Sequence, residues 1–486
     1  MKKLIFIIAV FSLVALSSCE DFLNLSPTNA ASAGTAIRTE ADAKVIINGL
    51  MRSLTSSNYY GRNFFLYGDA KGGDVALVSL GRGNDALYTF NHSATSNSYV
   101  GYWSQIYSCM LQINNLLTNI DRMEEEGKST ATLSDYKGQA LTLRALLYFD
   151  LVRLYGRPYS EDNGVSPGVP MPLTVLDVYA RETRLTVAEN YTQILKDLHD
   201  ATPLLSKSVT KGFVNYYANK AIQARVYLFM GNNPDALKAA EEIINDKKYT
   251  LYENTAWVAS WSSEFGSESI LELGIYQDEA DLTANSLGYY FMRRAKLSNA
   301  MGWFVASDAF IAKLAEDPAD VRRGIMDYDE IDITRFGACN KYTGNDNKGD
   351  KGSPSAVNIK VIRLSEIYLI AAEAALSSDK VKAADYLNQI RKRAPSLTPA
   401  AEATINLDMI LDERSKELYM EGHKFFDMMR WGRSITFNDE ILSGSISQTL
   451  RPKTIDVKTF YKTILPIAQT ELDANPAIVS QQNPGY

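Results

Sequence analysis

Cysteine and histidine are scarce in this chain: of 486 residues, three are Cys and three are His. The histidines, His92, His199 and His423, lie far apart, which starves a His-rich metal site or a His-activated nucleophile of parts. No segment is dense in Lys and Arg, and 50 basic against 57 acidic residues leave a formal charge of −7. The clustered positive charge that a nucleic-acid backbone requires is therefore missing. An apolar run of the ~20 residues needed to span a bilayer is also missing. What is present is ordinary for a globular protein with a full-sized core, 46% hydrophobic and 22% charged, and by length alone it could form about three domains. Tyrosine is in surplus, 28 against 18 Phe and 5 Trp. A tyrosine joins a flat apolar ring to a hydrogen-bonding hydroxyl, which suits half-wet surfaces as well as cores.

Lys2 and Lys3 precede a run from Leu4 to Leu16 that is apolar but for Ser12, and Ser17-Ser18-Cys19 follows. That run is too short to cross a membrane and has the flanks of a secretory signal, so residues 1–18 read as a removable export signal. Leu16-Ser17-Ser18-Cys19 resembles the bacterial lipobox, in which small residues admit the signal peptidase and the Cys becomes the acylated first mature residue. Cys19 is thus the expected lipidation site. With more than one acyl chain, at ~0.8 kcal/mol per buried CH₂, the attachment is stable. Loss of two Lys brings the mature chain close to −9. Residues 19–35 read as a tether. Cys109 and Cys339 remain, and one possible pair is no disulfide framework; both are expected to be buried small side chains.

From residue 36 onward, apolar positions recur with helical period. Ala140, Leu143, Leu147 and Leu151 form one stripe; Ala221, Ala224 and Leu228 form another that closes at Gly231, and a second helix follows the Asn232-Asn233-Pro234 turn. Shifting the chain on itself lays Ala140, Arg144, Leu147 and Tyr148 over Ala221, Arg225, Leu228 and Phe229, and then Ala224, Ala236 and Ile243 over Ala371, Ala383 and Ile390. Small residues on facing helices with an arginine partway along suit tetratricopeptide-like hairpins, and suit a generic Ala-rich bundle equally well. Between the stripes lie loop-rich stretches: 61–101 with seven glycines, 157–175 with four prolines, and 252–360, where aromatics occur among Gly, Ser and Asn. Long loops on a rigid scaffold are where binding concentrates. Asp346, Asn347 and Asp350 lack the spacing and terminal Glu of a calcium loop, so no metal or cofactor is expected.

Four segments together resemble the SusD/RagB family of outer-membrane nutrient-binding lipoproteins. They are Cys19-Glu20-Asp21-Phe22-Leu23 through Pro27; Gln139 through Asp150-Leu151 and on to Tyr155-Gly156; Arg363 through Glu373 joined to Glu413-Arg414, Glu421-Gly422 and Phe426 through Trp431-Gly432; and Leu465-Pro466 with the closing Gln482-Asn483-Pro484-Gly485-Tyr486. His423-Lys424 departs from the family's usual Arg after the Glu-Gly pair. The resemblance implies a mostly α fold: tetratricopeptide-like helix pairs form a spine, with an irregular loop-rich half inserted. Residues 36–486 would be a single domain, with scaffold at approximately 36–60, 102–156, 187–251 and 361–433 and loop-rich ligand-binding segments at approximately 61–101 and 252–360.

The resemblance further implies a non-catalytic, lipid-anchored protein on the exterior face of the outer membrane. It would capture a glycan and pass it to a SusC-like TonB-dependent transporter. Family site positions carry over to Trp303 as a stacking aromatic, to Tyr289 or Tyr290 upstream of it, and to Arg62 in the first long loop. Asp69, Arg82, Asn84 and Asp85 are further polar candidates there. The family can also place aromatics near Leu77 to Ser79, where this sequence has none, so its ligand is expected to differ from that of the starch-type members. Trp103 and Trp431 are assigned to the core, while Trp257 and Trp261 fit packing as well as binding. Two rival readings remain: an exported glycoside hydrolase using an Asp/Glu pair, and a helix-repeat assembly protein without a small ligand.

Overall fold

A computed structural model describes residues 37–78, 80, 85–95, 100–177, 179–275, 286–292, 301–328, 333–342, 356–438 and 451–486. Cys19, Arg82, Asn84, the export signal, the tether and the 343–350 stretch lie outside these residues.

Helices of seven or more residues are α1 (Glu40–Leu54), α2 (Asn63–Ala70), α3 (Val100–Glu125), α4 (Ala131–Tyr155), α5 (Val187–Ala201), α6 (Tyr216–Met230), α7 (Asn233–Asp246), α8 (Asp308–Ala315), α9 (Leu364–Ala375), α10 (Lys380–Arg391), α11 (Leu407–Glu417) and α12 (Lys424–Arg430). Their ends follow local chemistry. Thr39 and Thr186 close reciprocal capping boxes with Asp42 and Glu189. Gly231 ends α6 at φ +74°, and Asn232 caps α7, whose first turn holds Pro234. A left-handed glycine followed by an Asn cap and an early proline is an efficient helix stop and restart.

Helices α4 and α5, α6 and α7, and α9 and α10 pack as successive pairs, with α7 also against α9. The inner member of each pair is buried on nearly every side, as in α4, where Gly138 through Val152 are all buried. Outer helices keep one buried stripe, such as Ala236, Ala239, Ala240 and Ile243 of α7. Outer helices thus bury one apolar stripe, whereas the inner α4 is covered nearly all round, with Gln139, Arg144 and Asp150 among its buried residues.

The arginines of the internal match are buried on inner helices, and each forks onto an acid. Arg144 holds both oxygens of Asp197 at 2.7 and 2.8 Å. Arg225 holds Glu366 at 2.8 and 2.6 Å. Bidentate pairing compensates the desolvation of both charges and fixes the relative position of the elements.

The 252–360 segment is less irregular than its sequence suggests. It contributes α8 and strands that enter antiparallel ladders: β3 (Phe304–Ala306) pairs with β1 (Val75–Leu77) from outside the segment, β2 (Ser269–Leu273) with β6 (Ile359–Arg363), and β4 (Met326–Tyr328) with β5 (Phe336–Cys339). Strands this short leave no periodic signature.

Tyrosine hydroxyls join spine to loops. Tyr107 and Tyr148 donate to the carbonyls of Pro170 (2.7 Å) and Pro172 (2.6 Å), and Tyr102 donates to that of Asn63 (2.5 Å). Tyr59 and Tyr60 both donate to Asp150 on α4. Tyr107 and Tyr148 thereby supply donors to irregular proline-bearing backbone that has no ladder of its own. Cys109 and Cys339 are unbridged and buried, and burial pushes both thiols up to about 11.

Asp69 is not a loop residue. It lies in α2, is 2% exposed, and accepts the Gly422 N–H at 2.6 Å. Burial raises its carboxyl well above the usual range. It ties α2 to the turn before α12, where a Cβ on Gly68 would sit 2.1 Å from the Gly422 carbonyl oxygen. Gly68→Ala is expected to lower stability by ~1–3 kcal/mol through forced separation of the two backbones, read as a lower melting temperature.

Trp431 also departs from expectation. It is 40% exposed, with its indole N–H donating to Glu373 at 3.1 Å, because it follows the last residue of α12, where one ring face meets solvent. Trp103, Trp257 and Trp261 are buried as packing residues.

His423 immediately precedes α12, and its imidazole lies 4.0 Å from Glu366. Burial holds its imidazole down at about 4; Arg225 and Arg414 add to that, while Glu366 and Asp427 oppose it. The unfolded imidazole titrates near 6.5, so between ~6.5 and ~4 the unfolded state binds more protons. The His423 contribution is therefore intact above pH ~6.5 and lost as pH falls toward 4. Urea midpoints measured across that window should fall with acidification, and less steeply in His423→Gln.

Candidate glycan-binding site

Four of the sequence-predicted residues meet in one cluster, although they come from segments more than two hundred residues apart. The β1–β3 ladder brings them together. Val75 pairs with Ala306 and Leu77 with Phe304, Val78 N–H donates to the Trp303 carbonyl at 2.8 Å, and Ser307 N–H donates to that of Asp74 at 2.9 Å. Arg62, just ahead of α2, is thereby set beside the 286–303 region.

Within that region Ser286 caps a short helix, Leu287–Phe291, by accepting the Tyr289 N–H at 3.2 Å. The chain then returns alongside it. Met301 N–H donates to the Tyr289 carbonyl at 2.7 Å and Trp303 N–H donates to that of Tyr290 at 3.1 Å. Gly302 between them has φ +56°, a turn that a side chain resists.

Three rings and a guanidinium result. Tyr289 and Tyr290 meet edge to face, centroids 5.4 Å apart at 72°, and Tyr290 meets Trp303 at 5.5 Å and 79°. Arg62 lies over the Tyr290 ring, 4.8 Å from its centroid, and donates through Nη1 to the Tyr290 hydroxyl at 3.1 Å. Its Nε donates to Asn63 Oδ1 at 2.8 Å, which fixes the plane of the fork.

Burial divides the roles. Trp303 is only 5% exposed, so the structure seats it beneath Tyr290 as a support, where the sequence suggested a surface platform. Tyr289, Tyr290 and Arg62 are half-buried and present the accessible faces. Asp69 stands apart from the cluster, tied to Gly422. The neighbours 293–300 lie outside the described residues, as do Arg82 and Asn84. Aromatic rings with a fixed guanidinium lying over one of them can stack on the C–H face of a sugar ring and donate to its hydroxyls.

A second aromatic concentration, not read as a unit from the sequence, has a different job. Trp261 carries Lys341 at 3.9 Å, Arg363 at 4.9 Å and Lys360 at 5.7 Å from its ring centroid. Arg363 forks onto Glu421 (2.8 and 2.7 Å) and also reaches Glu268 (2.9 Å) and Glu417 (3.2 Å). Despite its burial, Glu421 is held down at about 2 by Arg363 and Lys341. All of these charges are buried and each has an ion-pair partner, Lys360 through Glu272 at 3.8 Å, so they fasten the loop-rich half to α9 and α11. The sequence signal for them was present in Arg363, Glu417 and Glu421, but their partners Glu268 and Lys341 carry no mark in the sequence.

Among the described residues, no group of three His, Cys, Asp or Glu side chains is placed to hold a metal ion. No described helix is long and apolar enough to cross a membrane.

Comparison with known proteins agrees with this architecture. A sequence model described as the SusD family matches residues 330–486, and one described as starch-binding associating with outer membrane matches residues 21–228. The crystal structure of a SusD superfamily protein from Bacteroides thetaiotaomicron is 33% identical, covering 92% of this chain and 100% of that one, with a TM-score of 0.84. A structure described as a putative sugar binding protein from Bacteroides vulgatus is also 33% identical, covering 93% and 100%, with a TM-score of 0.83. SusD-like protein P25 of Formosa agariphila is 24% identical, with 99% of each chain covered. With the helix-pair spine, the inserted loop-rich half and end-to-end likeness at one-third identity in place, the chain belongs to the SusD family.

Proposed function

We propose that this protein is a non-catalytic glycan receptor, anchored by lipid at Cys19 to the exterior face of the outer membrane. It captures an oligosaccharide and delivers it to a SusC-like TonB-dependent transporter. The observation that carries this reading is the convergence of Arg62, Tyr289, Tyr290 and Trp303 within a fold whose relatives include a putative sugar binding protein.

The cluster's own side chains are flat rings and one guanidinium. These hold a sugar by stacking and by hydrogen bonds, and they include no carboxylate pair of the kind a glycosidase needs. Packed helix pairs present broad, stiff surfaces suited to a protein partner, which leaves the spine to the transporter and the loop-rich half to the ligand.

The mature chain carrying Cys19→Ser is expected to be retarded in gels containing its glycan and to release no reducing ends from it. Sustained release would identify a hydrolase instead, and absence of retardation across host and dietary glycans would overturn the receptor reading. Detergent extraction of membranes bearing the native chain should copurify a large barrel protein; an unaccompanied lipoprotein would remove the transporter from the proposal.

A further inference from the structure

A cavity of about 400 Å³ opens between the first turns of α3, the proline-bearing segment 170–182 and the C-terminal helix α13 (Gln469–Ala474). It shares no lining residue with the Arg62, Tyr290 and Trp303 cluster and does not depend on the reading given to that cluster. Its volume falls within the ~300–1,000 Å³ of small-molecule sites.

One wall is flat and apolar, made by Tyr107, Pro170, Pro172 and Leu176. Prolines and a tyrosine held by the hydrogen bond from Tyr107 to the Pro170 carbonyl make that wall stiff. The opposite side is rich in acceptors. Glu471 Oε2 takes the Trp103 indole N–H at 3.2 Å, which orients the carboxylate, and Glu182 stands nearby on the same cavity lining.

Asn475 also lines the cavity, and its Nδ2 donates to the Glu182 carbonyl at 2.7 Å, which holds the 170–182 segment against the end of α13. Two carboxylates against Arg181 disfavour an anion. A flat apolar wall facing oriented acceptors matches a ring with C–H faces and hydroxyl donors at its edge.

We propose that this cavity is a second ligand site, for a short neutral saccharide, built on the flat Tyr107 and proline wall and the Glu471 and Glu182 carboxylates. The sugar ring lies against the wall, and one hydroxyl donates to the Glu471 carboxylate.

The test uses the mature Cys19→Ser chain with Tyr290→Ala added to silence the Arg62 cluster. It is titrated by calorimetry with maltose, cellobiose, laminaribiose and lactose, and with glucose 6-phosphate as an anionic control. At least one neutral disaccharide should bind, and the phosphate should not. Ala474→Trp, a substitution at an exposed lining position, fills the cavity and should weaken that binding about tenfold or more. Should Ala474→Trp fail to fold by circular dichroism, Ala180→Trp fills the cavity from the facing wall. If no disaccharide binds in the Tyr290→Ala background, or if binding survives cavity filling unchanged, the second site is overturned. Loss of all glycan binding on Tyr290→Ala alone sinks this inference while supporting the first site. Loss of all binding on Ala474→Trp alone does the reverse.

Discussion

Arg363→Met should destabilise the protein by about 3–5 kcal/mol, the cost of removing one partner from a buried charge network, even though Lys341 still meets Glu421 at 2.7 Å and Arg393 still meets Glu268 at 3.0 Å. Glu268, Glu417 and Glu421 all bond to this one guanidinium and are at most 3% exposed. Met matches the stem of Arg but brings no positive charge, so the cluster must take up protons or open. The urea midpoint of the variant should therefore recover partly at low pH, where the carboxylates protonate, while that of the parent falls. Arg363→Lys keeps a charge but loses the fork, and should recover only part of the loss. Breaking the exposed pair between Lys196 and Asp200, whose side chains are 62% and 48% accessible, should leave the midpoint within error, as expected of surface ion pairs. Equal effects at the two sites would refute the assignment of Arg363 as the fastening between the two halves.

Tyr290→Ala should weaken glycan binding by ~30-fold, the order expected when a central aromatic anchor is removed. The ring is both a stacking face and the acceptor that holds Arg62 in place, so two contacts are lost in one change. Tyr290→Phe separates them: the face remains, the Arg62 tether goes, and a loss of a few-fold is expected. Because Tyr290 is half-buried, its truncation should leave the melting temperature nearly unchanged. Trp303→Ala, by contrast, empties a buried position and should cost ~3–5 kcal/mol of stability, which confounds any binding measurement made with it. Wild-type affinity in Tyr290→Ala would remove the cluster from the ligand path.

Several things were legible in the chain itself. Helical stripes, the Gly231 stop, the Asn232 and Pro234 restart and the arginines of the internal match all survive into the structure, because each depends on neighbours within one or two turns. Even so, the stripe read for α4 understated its burial: Ala140, Leu143, Leu147 and Leu151 are one face of a helix that is covered nearly all round. Asp69 read as a loop polar group because Gly and Asn surround it. Its role depends on Gly422, 353 positions away, and no local pattern encodes that pairing. Trp431 looked like core because aromatics usually are, yet it lies just past a helix end, where one face has nothing to pack on. The tyrosine surplus was visible in composition, but only the fold shows that hydroxyls such as those of Tyr107 and Tyr148 answer the carbonyls of Pro170 and Pro172.

By itself, then, the sequence determined the helical stripes and the scarcity of histidine and cysteine, which follow from periodicity and composition acting over short stretches of chain. The residues proposed for a sugar-facing surface came from the resemblance to the SusD/RagB family. Only the tertiary structure decided which candidates meet. The β1 and β3 ladder joins Arg62 to Tyr290, burial turns Trp303 from platform into support, and chain closure at α13 creates the cavity beside Trp103. The first and the last are contacts between segments separated by more than two hundred residues. Such contacts are fixed by the packing of the whole molecule and not by local preference, so they leave almost no signal in the order of the residues.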